Sequence, residues 1–358
     1  LQRLIARLED GHARVTPLVE GLEWPDDTRR EYTGPGLFLC QVGKKIYVKN
    51  SFGTGASARI EPGSEIIKIN GKKPGKWLEE RVARERELFS FTTDQQALFH
   101  TMHWGMSDTK GAKLTLKLKE PSGKKADRNL TYQDATTVPW GPAYFPPGMQ
   151  GDKNVSWTTL ESGFGYIHIR RCKSDLPERF DEALAALGEV PGVVLDFRAN
   201  GGGGFDHDGL FGRFLEPGER FGVGKTYEHA GEAAYTGPVV TIIDGNVRSA
   251  GETAAGIFKE DGRAYMIGES PTAGMSASKQ DLELPSGRFS LYFAVRSNKS
   301  RFNQGRGIEG IGVIPHEELA YDPGDLAAER DTFILRAEEL LAAYPKSGFP
   351  QTVPYKAR

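Results

Sequence analysis

The sequence predicts an α/β core preceded by a small, mainly β unit and an N-terminal helical segment. Three observations carry this. From residue 152 onward, apolar strands alternate with amphipathic helices. Between 33 and 135, short strands are separated by Pro-Gly and Asn-Gly turn signals at 62–63 and 70–71. At the start, Leu1, Leu4, Ile5 and Leu8 follow helical spacing, with Gly11 as the stop.

The elements follow in order. Residues 1–32 form the helical segment, too short to stand alone and so expected to pack on a later domain. In 33–135, GLFLCQV and KKIYVKNSF read as strands, SARIEPGSEIIKINGKKP alternates apolar and polar residues, and KWLEERVARERELF is a charged helix. AKLTLKLKEPSGKKADRNLTYQD then reads as a hairpin turning at Pro121–Gly123. Residues 136–151, rich in Pro, Gly and aromatics, read as a linker or packed crossover that opens the third part, 136–358. There GFGYIHIRR, GVVLDFR, GPVVTIIDG and RAYMIGE are strands, while LPERFDEALAALGEV and SAGETAAGIFKED are helices.

A chain of 358 residues with 38% hydrophobic and 26% charged residues has ordinary globular composition, and its length favours two or more domains. Its net charge of -2, without a long basic run, excludes a nucleic-acid footprint. No stretch approaches the roughly 18 apolar residues that span a bilayer. Cys40 and Cys172 show neither metal-ligand spacing nor a disulfide framework, and read as small buried hydrophobes. Asp206-His207-Asp208 is too short for a metal site, and no cofactor is expected. The chain opens on Leu1 without an initiator Met or signal peptide, which leaves room for a leader before it and hides the compartment.

Two motifs carry chemistry. In GPVVTIIDGNVRSAGETAAGIFKED, a buried strand ends in a short polar turn and Ser249 begins a helix. Ser249 reads as an N-cap, with Glu252 completing a capping box. Taken alone, the cap is the stronger reading; the alternative is a nucleophile, since amides and dipole at a helix start favour developing negative charge. In VVLDFRANGGGGFD, a strand runs into four glycines, Gly201 to Gly204, whose entropic cost calls for a reason such as close backbone approach to a ligand. Neither GxGxxG nor GxxxxGK[ST] is present, which argues against nucleotide binding.

Together these segments resemble the C-terminal-processing (tail-specific) serine peptidases, and in particular their tricorn-like branch. The resemblance rests on Leu195-Asp196-Phe197-Arg198-Ala199-Asn200-Gly201-Gly202-Gly203, on Ser249-Ala250-Gly251-Glu252, on Gly268-Glu269 through Thr272 and Gly274, and on Gly307 through Pro315. It implies a crotonase/Clp-like catalytic core. Upstream, Gly36-Leu37-Phe38-Leu39, Ser57-Ala58, Pro62-Gly63 and Ile67 through Gly71 resemble a PDZ domain, whose GLFL-type edge would take a peptide's C-terminus.

By this resemblance Ser249 is the nucleophile, and the amides of Ala250 and Gly203 (to within one glycine) form the oxyanion hole. The base is less direct. Processing peptidases place a lysine after the Thr-x-Gly; here that position is Met275, and Lys279 lies four residues on. A thioether accepts no proton. The tricorn-like branch uses a histidine near the start and a glutamate after the serine, which match His12 in Asp10-Gly11-His12-Ala13 and Glu309. Imidazole suits the role of base. Gly11 stands where a relay serine often precedes that histidine. His100, His103, His207 and His316 are rival bases.

The implied activity is endoproteolysis of proteins or peptides near their C-terminus through an acyl-enzyme, in an extracytoplasmic compartment and without metal. A homo-oligomer is compatible with it. Two alternatives stand beside this reading: a non-proteolytic binding protein on the same fold, and a Ser–Lys peptidase using Lys279.

Overall fold

The computed structural model describes residues 1–21, 32–55, 60–134, 137–218, 220–221, 226–232, 234–296 and 302–344. Ser57 and Ala58 lie outside the described residues, as do 22–31, 135 and 136. The chain divides into two compact units. One combines Leu1–Pro139, Ala277–Arg296 and Ala320–Thr332, and the other Trp140–Ser276, Ser297–Leu319 and Phe333–Arg358.

In the first unit a five-stranded antiparallel sheet runs in the order Leu37–Val42, Lys45–Ser51, Glu65–Ile69, Lys113–Lys119, Lys125–Thr131. Alternation decides which side chains enter the core: in KLTLKLK the leucines 114, 116 and 118 are buried and the lysines between them are exposed. The helix Pro74–Leu88 starts with proline in its first turn, where the missing N–H is unneeded, and contributes Trp77 and Leu78 to this core. The helix Asp94–Met102 is capped by Thr93, whose side chain accepts from the Gln96 amide.

The N-terminal segment departs from expectation. Its helix spans only Gln2–Ala6, because Arg7 and Leu8 donate to carbonyls three residues back and Glu9 turns to φ 51°. Leu1, Leu4 and Leu8 are exposed, and only Ile5 and Ala6 of the stripe are buried. Arg14–Pro17 then forms a strand, because its partner Phe289–Arg296 lies far along the chain; with Ser278–Glu283 they make a three-stranded antiparallel sheet.

The second unit is an α/β layer structure. Its seven-stranded sheet runs Glu317–Glu318, Tyr265–Gly268, Val239–Ile243, Val193–Asp196, Gly165–Ile169, Val155–Thr159, Gln150–Gly151. The first five are mutually parallel, and the last two join antiparallel. The central strands are buried throughout, as parallel strands covered on both faces must be. Helices Leu176–Leu187 and Ala250–Glu260 bring Phe180, Leu184, Ala254 and Phe258 into the same core. Parallel pairing has a functional consequence. The loops after Gly165–Ile169, Val193–Asp196, Val239–Ile243 and Tyr265–Gly268 all leave the same edge, where open α/β sheets bind ligands.

Candidate active site

Three of those four loops carry the motifs. Register sets Asp196 beside Ile242 and Ile243 beside Gly268, so the glycine run, the Ser249 turn and the Thr272 segment emerge side by side. Asp244 stitches two of them: its carboxylate accepts from the amides of Ala199 (2.9 Å), Asn246 (2.9 Å) and Val247 (3.1 Å). Asn200, fully buried, fixes the glycine run by accepting from the Gly202 amide (2.8 Å) and donating to the Ile169 carbonyl (2.7 Å).

Ser249 sits at the tightest point. Its φ of 56° and ψ of −127° lie where side-chain-bearing residues rarely go, at a sharp strand-to-helix turn that presents the side chain. It is half-buried, directly before the helix Ala250–Glu260. Gly202 packs against it: a Cβ there would stand 2.8 Å from Ser249 Cβ and 2.9 Å from the Arg248 carbonyl oxygen.

The glycine amides divide cleanly. Gly201 donates to Arg170 O (3.0 Å), Gly202 to Asn200 Oδ1 and Gly204 to Cys172 O (2.8 Å). Cys172 bridges Gly203 in parallel fashion through its bonds to the flanking Gly202 and Gly204, which turns the Gly203 N–H away from Cys172. Among the described residues Gly203 alone of the four has no hydrogen bond on its amide. It is exposed, its φ is 149°, and a Cβ would run into the Cys172 carbonyl, so only glycine fits. Ala250 opens the helix, where an amide has no intrahelical partner.

Glu252 is the hub beneath. Completely buried, its carboxylate accepts from Thr272 Oγ1 (2.6 Å) and from the amides of Gly274 (2.7 Å), Met275 (2.9 Å) and Ser249 (3.0 Å). Burial pushes its carboxyl up to about 7, against the lowering effect of those four donors. The Ser249 amide also reaches the Met275 carbonyl (3.2 Å). Thr272 Oγ1 in turn accepts from the Val313 amide (2.6 Å), and Gly310 donates to Gly274 O (2.9 Å). Glu309 thereby arrives beside the same segment, its Oε2 accepting from the Ser276 amide at 2.9 Å.

A family model for "Peptidase family S41" matches residues 163–319, the stretch that holds this arrangement. Residues 163–319 thus resemble peptidase family S41. Among curated relatives, the carboxy-terminal processing protease CtpB of Bacillus subtilis is 24% identical over 283 residues, covering 75% of this chain and 52% of that protein. A Chlamydia pneumoniae protein is 32% identical over 103 residues, covering 29% and 16%. The chain therefore spans about half, or less, of the curated relatives it matches. The solved structure of mature CPAF complexed with lactacystin superposes with a TM-score of 0.67 at 14% identity over 95% of this chain and 87% of that one, a likeness of fold.

Ser249, Ala250, Gly203 and Glu309 lie in one unit, whereas His12 lies in the other. His12 is buried, in a turn held by Asp10: the Asp10 carboxylate accepts from the His12 amide (2.8 Å) and from the Ala294 amide (2.5 Å), and its Oδ1 stands 3.9 Å from His12 Nδ1. The Asp10 and Gly11 amides donate to Ser90 Oγ (2.9 Å) and Thr92 Oγ1 (2.7 Å). Lys279 lies in the strand Ser278–Glu283, opposite Ala294, in the same unit as His12. Met275, at the lysine position, has a buried side chain and acts through its backbone.

The rival histidines have other surroundings. His316 stacks on Tyr265 at 4.8 Å, accepts from the Met266 amide, and is pushed down to about 4 by burial. His103 is buried against Lys49 Nζ (3.4 Å), and His100 meets Glu85 (3.3 Å). His207 packs on Phe205 and lies 2.8 Å from Thr253 Oγ1. Gly36, with φ 68°, and Leu37, Phe38 and Leu39 lead into the edge strand of the five-stranded sheet. Sequence reasoning missed the positioning roles of Asn200 and Asp244 and the hub role of Glu252, because the bonds that join them to other loops reach Ile169, Ala199 and residues 272–275, beyond local spacing.

Among the described residues no group of His, Cys, Asp and Glu is arranged to hold a metal ion, and no helix is long and apolar enough to cross a membrane.

Proposed function

We propose that the chain is a serine endopeptidase that cleaves proteins or peptides near their C-terminus. Ser249 Oγ gives its proton to His12 and attacks the scissile carbonyl carbon. The resulting oxyanion is held by the amides of Gly203 and Ala250; its collapse breaks the C–N bond as His12 returns the proton to the leaving amine. Water then hydrolyses the Ser249 ester by the same route. Glu309 assists His12 through a relay in which water or another hydroxyl takes the place of the serine absent at Gly11. The PDZ-like unit, with the edge strand from Leu37, holds the substrate tail by main-chain pairing. An extracytoplasmic setting fits this reading.

The observation that carries the proposal is the pairing of a strained serine with an uncommitted glycine amide on the adjacent loop. A fluorophosphonate probe tests it. Labelling of the wild type and none of Ser249→Ala is expected; equal labelling of both sinks the assignment. Peptide hydrolysis by His12→Ala and Lys279→Ala then separates the bases. Loss of about 100-fold or more in His12→Ala, with Lys279→Ala near wild type, is expected, and the reverse pattern overturns His12 in favour of Lys279.

A further inference from the structure

Three arginines crowd the glycine run. Arg170 and Arg171 follow the strand Gly165–Ile169 and lead to Cys172, and Arg248 directly precedes Ser249. Arg171 Nη1 donates to Gly201 O at 3.1 Å, and its guanidinium lies flat on that residue, Cζ standing 2.7 Å from where a Gly201 Cβ would be. Arg170 holds its guanidinium 4.9 Å from the Trp140 ring centroid, with its Nε buried and unbonded among the described residues. The Arg248 amide donates to Asn200 O at 3.2 Å, which ties it to the same loop.

No carboxylate among the described residues forms an ion pair with any of the three, although the protein as a whole carries a net charge of -2 and buried or half-buried arginines elsewhere are paired: Arg198 with Asp196, Arg213 with Asp181, Arg81 with Glu85. Burial, and then the charge of Arg171, lowers both Arg170 and Arg248 from the usual guanidinium range. Arg170 and Arg248 are half-buried beside the exposed Arg171, and like charges crowded at a loop edge cost stability that an anion would return. The charge of Glu252 partly opposes this at Arg248, but its oxygens already accept four donors.

We propose that Arg170, Arg171 and Arg248 form a carboxylate-binding subsite beside Ser249 that selects substrates with an anionic group next to the scissile bond. Guanidinium groups bind carboxylates with planar, charge-assisted hydrogen bonds, so the group is either the terminal carboxylate of a peptide cleaved close to its end or an acidic side chain. The inference rests on the peptidase reading for its substrate, but its test does not need turnover.

Full-length Ser249→Ala protein is titrated with fluorescent peptides in matched pairs, one pair differing as C-terminal acid and amide, the other as internal Glu and Gln. Tighter binding of the anionic member, by about tenfold or more, is expected in at least one pair, and which pair responds tells the two sources apart. Adding Arg171→Gln and Arg248→Gln should bring the ratio near one, and Arg171→Lys should restore part of it. Salt provides a check free of any arginine variant, since the ratio falls as sodium chloride is raised. Equal binding within both pairs, or a ratio untouched by the substitutions and by salt, overturns the subsite. Failure of Ser249-dependent probe labelling with the ratio intact would instead overturn the peptidase reading and leave the subsite standing.

Discussion

A carboxylate that accepts four hydrogen bonds ordinarily ionises with ease, yet Glu252 does so from a place without water. Burial raises its carboxyl from the ordinary 4.5 to about 7 despite the donors from Thr272, Gly274, Met275 and Ser249. The sign follows from proton counting. Between those two values the folded protein keeps a proton that the unfolded chain has released, so stability falls as pH rises through the window and levels off above it. The full change is on the order of 3 kcal/mol. Urea unfolding midpoints between pH 4.5 and 8 should therefore decline for the wild type, and Glu252→Gln should flatten the decline while costing stability at every pH. An undiminished slope in the variant would assign the pH dependence elsewhere. Only part of this residue was legible beforehand. Its spacing from Ser249 announces a capping box, and the Ser249 amide does donate to it. The three bonds from residues 272–275 come from the loop after the next strand, and no local pattern encodes them.

At the scale of elements, long apolar runs made the central strands and their helices plain, because a parallel strand buried on both faces has little choice of composition. The hairpin Ser278–Glu283 and Phe289–Arg296 escaped reading for the opposite reason: its residues are mostly exposed or half-buried, so no alternation marks it. The glycine loop depends on a device at the end of the strand Val193–Asp196. Asp196 and Arg198 are both fully buried, joined at 2.6 Å, and Tyr166 donates to the same carboxylate at 2.8 Å. Burial pushes the Asp196 carboxyl up, and the Arg198 guanidinium more than offsets it, holding it below the usual range. Arg198→Met should thus strand a buried charge and cost about 3–5 kcal/mol in urea unfolding. Replacing both partners, Asp196→Leu with Arg198→Met, should cost less than the single change. A mild effect of the single substitution would mean that the pair does not hold the strand end.

For the whole molecule, connectivity decides what depends on what. The first unit is assembled from three stretches of chain, with residues 277–296 returning to pair with Arg14–Pro17 more than 250 positions earlier. This is why the N-terminal segment read as helix: local spacing offered a stripe at Leu1, Leu4, Ile5 and Leu8, and the partner that makes a strand of the next residues was out of sight. The Asp10–Ala13 turn precedes that strand directly, and Asp10 is its fastening, bonded at once to Ser90, to the His12 amide and to Ala294. Asp10→Ala in the full chain should therefore release two backbone amides, those of His12 and Ala294, while the Asp10 amide keeps its bond to Ser90. Amides of residues 12–16 should exchange with solvent at least tenfold faster, while those of Lys113–Lys119, deep in the five-stranded sheet, stay as protected as before. Ala294→Pro offers a second approach from the other strand, since it removes the donor to Asp10 while the Ala294 side chain is not part of that bond. If Asp10 and Ala294 act as one fastening, the two substitutions combined should speed exchange little beyond either alone. Accelerations that multiply would show that the turn is held by independent contacts. Because His12 sits within this turn, the proposed base is only as well positioned as a bond made by a strand from the other end of the sequence.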